Sequence, residues 1–388
     1  MSRRPTRRAV AVTGIGLLLV LAGSTAQAGW LFVLAAGIMA LVGASLLMRH
    51  RLGAVEVERF LPELVRAGDD VVLRLEVRNA GRQALPPLRL EDHHPAFGRR
   101  AVLIEALPAG ARACFEEVRP AVRRGSYEGA PVTLVTGWPF GIVRSCRTID
   151  VPGAIVVVPR WVELGSFPIL EPSSSPAEAL HERARTRAGE EYFGVREYRP
   201  GDPRRLVHWR STARAGRLVV REFEEHVAVP VGLVLTGTAV KSGEDPAFEA
   251  LVEAAASIGV YALSTGHPLE CVRFGGPRLS APTRRALLRW LAEAEPADST
   301  PAGLVAAVLK GLRRRGTVVV LATDSGSTGA GLAQALRAVQ AAGCRAIAVV
   351  ADTSSFGAEL PITPVVAGGR ALVRVLRAGE ELKRCLAG

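Results

Sequence analysis

Thr317-Val318-Val319-Val320-Leu321, followed by Asp324 and the glycine-rich Gly326-Ser327-Thr328-Gly329-Ala330-Gly331, is the stretch on which the fold turns. A β-branched and aliphatic run without polar alternation marks a strand buried on both faces. A helix-spaced segment over 332–342 comes next, and Arg345-Ala346-Ile347-Ala348-Val349-Val350 repeats the buried-strand pattern. Upstream, 227–235 reads as a further buried strand. Residues 245–258 carry helical spacing (Phe248, Leu251, Val252, Ala255), 269–274 returns to strand, and 283–294 and 302–314 read as helices. A weaker strand follows at Leu372–Leu376. This alternation predicts a doubly wound, mostly parallel α/β sheet with ligand sites at the carboxyl ends of its strands, near Thr236 and Thr323-Asp324. The glycine run fits neither the dinucleotide fingerprint nor a P-loop, which needs Gly-Lys-Ser/Thr, and reads as a plain strand-to-helix turn.

Ahead of this domain, 54–160 reads as short strands. Val71-Val72-Leu73-Arg74-Leu75-Glu76-Val77 alternates at period two, with turn residues at Gly68-Asp69-Asp70 and Asn79-Ala80-Gly81. The expected packing is an all-β, immunoglobulin-like sandwich. His93-His94 lacks acidic or Cys partners at ligand spacing and reads as a loop pair, not a metal site. Residues 161–190, centred on Pro172-Ser173-Ser174-Ser175-Pro176, have linker composition, with a short helix expected over 178–187.

The first 50 residues predict two transmembrane helices. Apolar runs over 9–28 and 29–48 each hold about 20 residues, the length that spans a hydrocarbon core. Arg3, Arg4, Arg7 and Arg8 precede the first run and Arg49 and Arg51 follow the second, so both ends are expected on the cytoplasmic side of the cell membrane. Ala26-Gln27-Ala28 also resembles a signal-peptide cleavage site. The tight spacing and the charge pattern favour the uncleaved hairpin, and the second run would stop transfer in either case.

The 388 residues carry a net charge of +12, which raises nucleic acid or an anionic membrane as partners. Only three of the 49 basic residues are Lys, and aromatic residues are 5% of the chain, leaving little material for base stacking. No nucleic-acid partner is expected; the lipid bilayer is. The five cysteines are scattered, odd in number and never in a Cys-x-x-Cys pair, so they read as reduced thiols.

The densest chemistry lies in 194–224: Arg196-Glu197-Tyr198, Pro200-Gly201-Asp202, Arg205, His208-Trp209, Ser211, Ala213-Arg214, Leu218 and Arg221-Glu222-Phe223-Glu224. This pattern, with Arg124-Gly125, Pro139-Phe140-Gly141 and the two apolar runs, resembles the bacterial domain-of-unknown-function-58 family. The resemblance implies a von Willebrand factor A-like α/β domain over 191–388 and a MoxR-type AAA+ ATPase as protein partner. Metal-binding domains of that kind place Asp-x-Ser-x-Ser after the first strand; here Thr236-Gly237-Thr238-Ala239-Val240 stands there. With only Thr238 and Asp324 as candidate ligands, a divalent cation such as Mg²⁺ would be held weakly, and no cofactor is expected.

Three readings of the charged segment stand side by side. Arg196, Glu197, Arg205, Arg214, Glu222 and Glu224 could form interlocking ion pairs, with Tyr198 and Trp209 as half-buried anchors. The segment could be a protein interface built on Arg and aromatic side chains. Or His208 with Asp202 or Glu222 could serve as an acid–base pair in a hydrolase or other enzyme. The missing nucleophile favours the first two, so the expectation is a scaffold or adaptor for assembling a membrane or cell-envelope complex.

Overall fold

The structure, a computed structural model, describes residues 2–47, 52–169, 191–199, 202, 204–224, 228–238, 245–297, 299–312, 316–357 and 371–387. The chain divides into two compact units, Met1–Arg160 with Leu288–Ala294, and Trp161–Leu287 with Glu295–Gly388.

The first unit opens with β1 (Ser2–Pro5), α1 (Arg7–Ala26) and α2 (Gly29–Leu47). Both helices are long and apolar enough to cross a membrane. Small residues let them approach: a Cβ on Gly16 would stand 3.3 Å from Met39 and Ile38, and one on Gly23 would stand 3.2 Å from Phe32. Most of their large apolar side chains, Leu17, Leu18 and Val33 among them, stay exposed.

The sandwich follows, with β2 (Val55–Phe60), β3 (Leu64–Arg66), β4 (Asp70–Asn79), β5 (Leu88–His94), β6 (Gly98–Ile104), β7 (Arg112–Pro120), β8 (Gly125–Thr136) and β9 (Val143–Val158). One sheet runs β2-β4-β7, the other β1-β9-β8-β5-β6 with β3 beside β9. The period-two pattern is literal: β2 alternates buried and exposed along its length, and so does most of β4. Val55, Val57, Leu75 and Val77 from one sheet pack against Leu88, Leu90, Val132 and Leu134 from the other. β1 was not expected. Arg3 and Arg4 lie in a strand whose register is Ser2↔Cys146 through Pro5↔Val143.

A buried ion pair crosses this core. Arg59 Nη2 lies 2.6 Å from Asp92 Oδ1, their side chains 1% and 8% exposed. Arg59 Nη1 also donates to the Ala130 and Val151 carbonyls. Burial raises the Asp92 pKa, partly offset by Arg59, and lowers that of Arg59. His93 and His94 end strand β5 and do not lie in a loop. His94 is buried, accepts from the Ala96 N–H through Nδ1, and packs against Phe97 and Tyr127.

The second unit holds β10 (Glu191–Glu197), α3 (Trp209–Ala215), β11 (Val219–Glu224), β12 (Val231–Leu235), α4 (Pro246–Ser264), β13 (Leu269–Arg273), β14 (Leu279–Ser280), α5 (Arg284–Ala292), α6 (Pro301–Gly311), β15 (Thr317–Thr323), α7 (Gly326–Ala341), β16 (Arg345–Ala351), β17 (Leu372–Leu376) and α8 (Leu382–Ala387). The sheet order is β14-β13-β12-β15-β16-β17, parallel throughout except for the short edge strand β14. β12 and β15 are buried at every position, as their unbroken apolar runs require. α6 and α7 cover one face, on Val234, Val318, Val320 and Ala346. The alternate residues Leu233, Val319 and Ile347 are equally buried, on the face that α4 packs against. Asp245 caps α4, its Oδ1 accepting from the Ala247 and Phe248 N–H groups.

Two departures from expectation matter. The glycine-rich run is not a turn but the first turns of α7, which starts at Gly326. Glycine serves close packing there: a Cβ on Gly329 would collide with the Asp324 carbonyl oxygen, and one on Gly331 would stand 2.9 Å from Pro301. Of the expected linker, 161–169 is tied to the α/β unit by Val162 N–H to Ser257 Oγ and Thr317 Oγ1 to Ile169 O. Residues 170–190, with the expected helix over 178–187, lie outside the described residues.

Candidate functional site

The charged segment folds as a two-stranded ribbon. β10 and β11 pair antiparallel with Glu197↔Val219, Arg196↔Val220 and Val195↔Arg221, and the Tyr198 N–H extends the ladder to Leu218 O. The chain between the strands turns back through Arg199–Asp202 and the short α3. Arg196 fixes the turn: Nη1 lies 2.8 Å from Asp202 Oδ2 and Nη2 lies 2.8 Å from Oδ1, a bidentate fork. The Arg199 N–H also donates to Asp202 Oδ2. Arg196, then this N–H, hold the Asp202 carboxyl below its usual range.

His208 caps α3. Its Nδ1 accepts from the Ser211 backbone N–H and lies 2.7 Å from Ser211 Oγ, while the His208 backbone N–H donates to Val219 O. Thr212 Oγ1 accepts from the Val219 N–H, seating α3 on β11. Among the described residues no hydrogen bond joins His208 to Asp202, so the structure does not assemble that acid–base pair. Glu197 meets Arg217 at 3.3 Å, both largely exposed, a contact worth little. Arg205 and Arg214 are exposed. Tyr198 is half-buried as expected, but Trp209 is 68% exposed on the first turn of α3. Gly201 lies outside the described residues, as do the side chains of Glu222 and Glu224.

A second cluster sits where the sheet order reverses, between β12 and β15. Strand ends splay apart at such a point and leave room for a ligand. Thr236 Oγ1 lies 2.7 Å from Ser299 Oγ. Thr238 donates its hydroxyl to Ser325 O and its N–H to Thr323 Oγ1. Thr328 donates to Ser299 O. Asp324, nearly buried, accepts at Oδ1 from both the N–H and the hydroxyl of Thr353, at 3.1 and 2.7 Å. Gly237 admits no side chain, since a Cβ there would stand 2.6 Å from Phe248.

Thr238 and Asp324 are thus at one sheet end, as the strand pattern implied. Ser299, Thr328 and Thr353 were not foreseen. The available signal was a hydroxyl residue shortly after each of β12, β15 and β16, too common a pattern to single out. Thr236 is bonded to Ser299, and the hydroxyls of Thr238, Thr323 and Thr328 bond one another and carbonyls, while Ser325 Oγ is buried there without a hydrogen-bond partner among the described residues. One carboxylate with hydroxyls is a weak donor set for Mg²⁺. No group of three or more His, Cys, Asp or Glu side chains that could hold a metal occurs among the described residues.

Together these features define a protein with two apolar N-terminal helices, a β-rich domain, and an α/β domain entered through a charged ribbon. Residues 194–366 match the model described as "Protein of unknown function DUF58", and this part of the chain belongs to that family. No curated protein matches the chain. Among solved structures it is similar to the CARDB domain of the PF1109 protein from Pyrococcus furiosus (10% identity, TM-score 0.18, covering 25% of this chain and 86% of that one). It is also similar to the alkylpurine DNA glycosylase AlkC of Pseudomonas fluorescens (10%, TM-score 0.16, covering 26% and 31%) and to a β-glucosidase from Listeria innocua (13%, TM-score 0.13, covering 26% and 16%). At these TM-scores the likenesses carry no argument about function.

Proposed function

We propose that the protein is a membrane-anchored, cytoplasm-facing scaffold or adaptor that works with a MoxR-type AAA+ ATPase in assembling a membrane or cell-envelope complex. The observation that carries this reading is Trp209, 68% exposed on a helix whose Arg210 and Arg214 are also exposed. Exposed Trp flanked by Arg is the composition of a binding hot spot, and α3 is pre-ordered by its cap and its bond to β11. His208 and Asp202 are each engaged locally, in a cap and in a fork, which favours an adaptor over an enzyme.

The α/β unit is von Willebrand factor A-like in this reading. Its strands, taken in chain order from β12, lie 3-2-1-4-5-6 with the third antiparallel, which supports that assignment. The hydroxyl cluster at the switch point is a degenerate metal site with only weak residual affinity for a divalent cation. Orientation rests on the arginines that flank the two apolar runs.

The test is titration of the detergent-solubilised full chain with a purified MoxR-type ATPase from the same organism. Trp209→Ala is expected to weaken binding by about 30-fold, the scale of a 2 kcal/mol hot spot. Unchanged affinity in Trp209→Ala and in Arg214→Ala would sink the adaptor reading. Measurable turnover abolished by His208→Ala, with binding intact, would replace it by the hydrolase.

A further inference from the structure

The loop between β8 and β9, residues 137–142, is bonded to the start of the first apolar helix. Thr6 caps α1 by accepting from the Ala9 N–H. The same residue donates its N–H to Ile142 O at 3.0 Å, and its hydroxyl lies 2.8 Å from Gly141 O. Arg147, just beyond the β1–β9 ladder, donates to the Leu52 and Val55 carbonyls, on the chain that follows α2. One hairpin of the sandwich therefore holds both stretches of chain that lead into the apolar pair.

Two aromatic side chains lie on that loop. Trp138 is 52% exposed and Phe140 is 45% exposed. Around them are Arg4, Arg7, Arg8 and Arg144, all exposed and none in an ion pair among the described residues. Arg8 reaches over the loop, since a Cβ on Gly141 would stand 3.5 Å from its Nη1. Arg4 and Arg144 are direct cross-strand neighbours, an arrangement of like charges that is unfavourable unless an anion neutralises it. No Asp or Glu occurs in 1–55 or in 129–149 to do so.

The spacing along α1 matches a bilayer. Its 20 residues span about 30 Å, the thickness of a hydrocarbon core. Trp30, 64% exposed at the start of α2, marks one end of that span, and Trp138 with Phe140 marks the other. Amphipathic aromatic rings concentrate at the two membrane–water boundaries, and arginines beside them reach headgroup phosphates.

From this we infer that Trp138, Phe140 and the arginines Arg4, Arg7, Arg8 and Arg144 form a membrane-docking surface that seats the sandwich on anionic lipid headgroups. The inference rests on the membrane-hairpin reading of α1 and α2. Trp138 and Phe140 enter the interfacial layer, and the Arg4–Arg144 pair takes a phosphate between its guanidinium groups. The bilayer surface is then part of how the sandwich is held upright, beyond the two helices that anchor it.

The test uses the full chain in vesicles of phosphatidylcholine and phosphatidylglycerol whose acyl chains are brominated to quench tryptophan. Trp30→Phe and Trp138→Phe are each expected to remove a separate share of the lipid-dependent quenching. Arg4→Glu with Arg144→Glu is expected to reduce the Trp138 share, and more so with phosphatidylglycerol than in pure phosphatidylcholine. Quenching that vanishes in Trp30→Phe and is unchanged in Trp138→Phe would overturn the docking surface and leave the hairpin standing. A Trp138 share equal in both lipid mixtures would overturn the assignment to anionic headgroups. No quenching in the unmodified protein would defeat the hairpin reading and this inference with it.

Discussion

Arg59–Asp92 in the sandwich and Arg196–Asp202 in the ribbon are the same chemical pair in two settings. The first is almost sealed from water; the second has side chains 36% and 16% exposed. Their carboxyls move in opposite directions, Asp92 upward because burial outweighs its partner, Asp202 downward because the Arg196 fork outweighs burial. An ion pair's contribution is thus set less by its partner than by how much water it gave up. The buried pair is a strong constraint on the core, because neither member tolerates loss of the other. The ribbon pair shapes a turn at low cost and can be remade, which suits a surface that meets partners.

The contrast is sharpest when one partner is removed. Arg59→Met is expected to destabilise the sandwich by about 3–5 kcal/mol by stranding the Asp92 charge, read as lost hydrogen-exchange protection in β4 and β5. Adding Asp92→Leu should recover most of that loss. If the double variant is no better than the single, the stranded charge is not the cause.

The next effect is a pH dependence. Burial, then the Arg59 charge, pull the His94 pKa down to about 4 from 6.5. The folded state therefore sheds a proton that the unfolded chain keeps. Stability from His94 is complete above about 6.5, declines as pH falls, and levels off below about 4, a change of up to about 3 kcal/mol. The raised Asp92 pKa acts in the opposite sense, so the comparison is between the unmodified protein and His94→Gln. Equal pH slopes in the two would remove His94 from the account.

The smallest effect belongs to the ribbon. Asp202→Ala is expected to cost under about 1 kcal/mol, seen as faster exchange at Arg199 with the β12–β17 sheet unchanged. Its lowered pKa makes that contribution present above the unfolded value of 3.8 and lost as pH falls through the folded one. A loss comparable to that of Arg59→Met would erase the distinction between the two pairs.

Much of the architecture was legible because burial writes itself into spacing. The alternation in β4 and the unbroken runs of β12 and β15 named their elements and faces directly. What escaped was set by tertiary partners. Ser2-Arg3-Arg4-Pro5 has the composition of a basic flank and becomes a strand only because Val143–Cys146 lies beside it. The glycines of α7 signal a turn locally, yet they serve close approach to Asp324 and Pro301. At the switch point, Asp324 was readable as a strand-end carboxylate, whereas its partner Thr353 lies 29 residues away. Trp209 was expected to be half-buried, but aromatic character alone does not say which side of a surface a ring takes.

The ladder between β1 and β9 also sets an order of events during synthesis. Ser2–Pro5 is made first, and its partner strand is made some 140 residues later, an interval on the order of ten seconds or more at ordinary elongation rates. Through that interval α1 and α2 are already made while the strand ahead of them has nothing to pair with. Under the membrane-hairpin reading proposed above, pairing with Val143–Cys146 when it emerges requires both segments on the same side of the bilayer. In that reading, a chain in which only one of the two helices spanned would put the two segments on opposite sides and leave β9 with an open edge, so completion of this one sheet would report that both helices crossed.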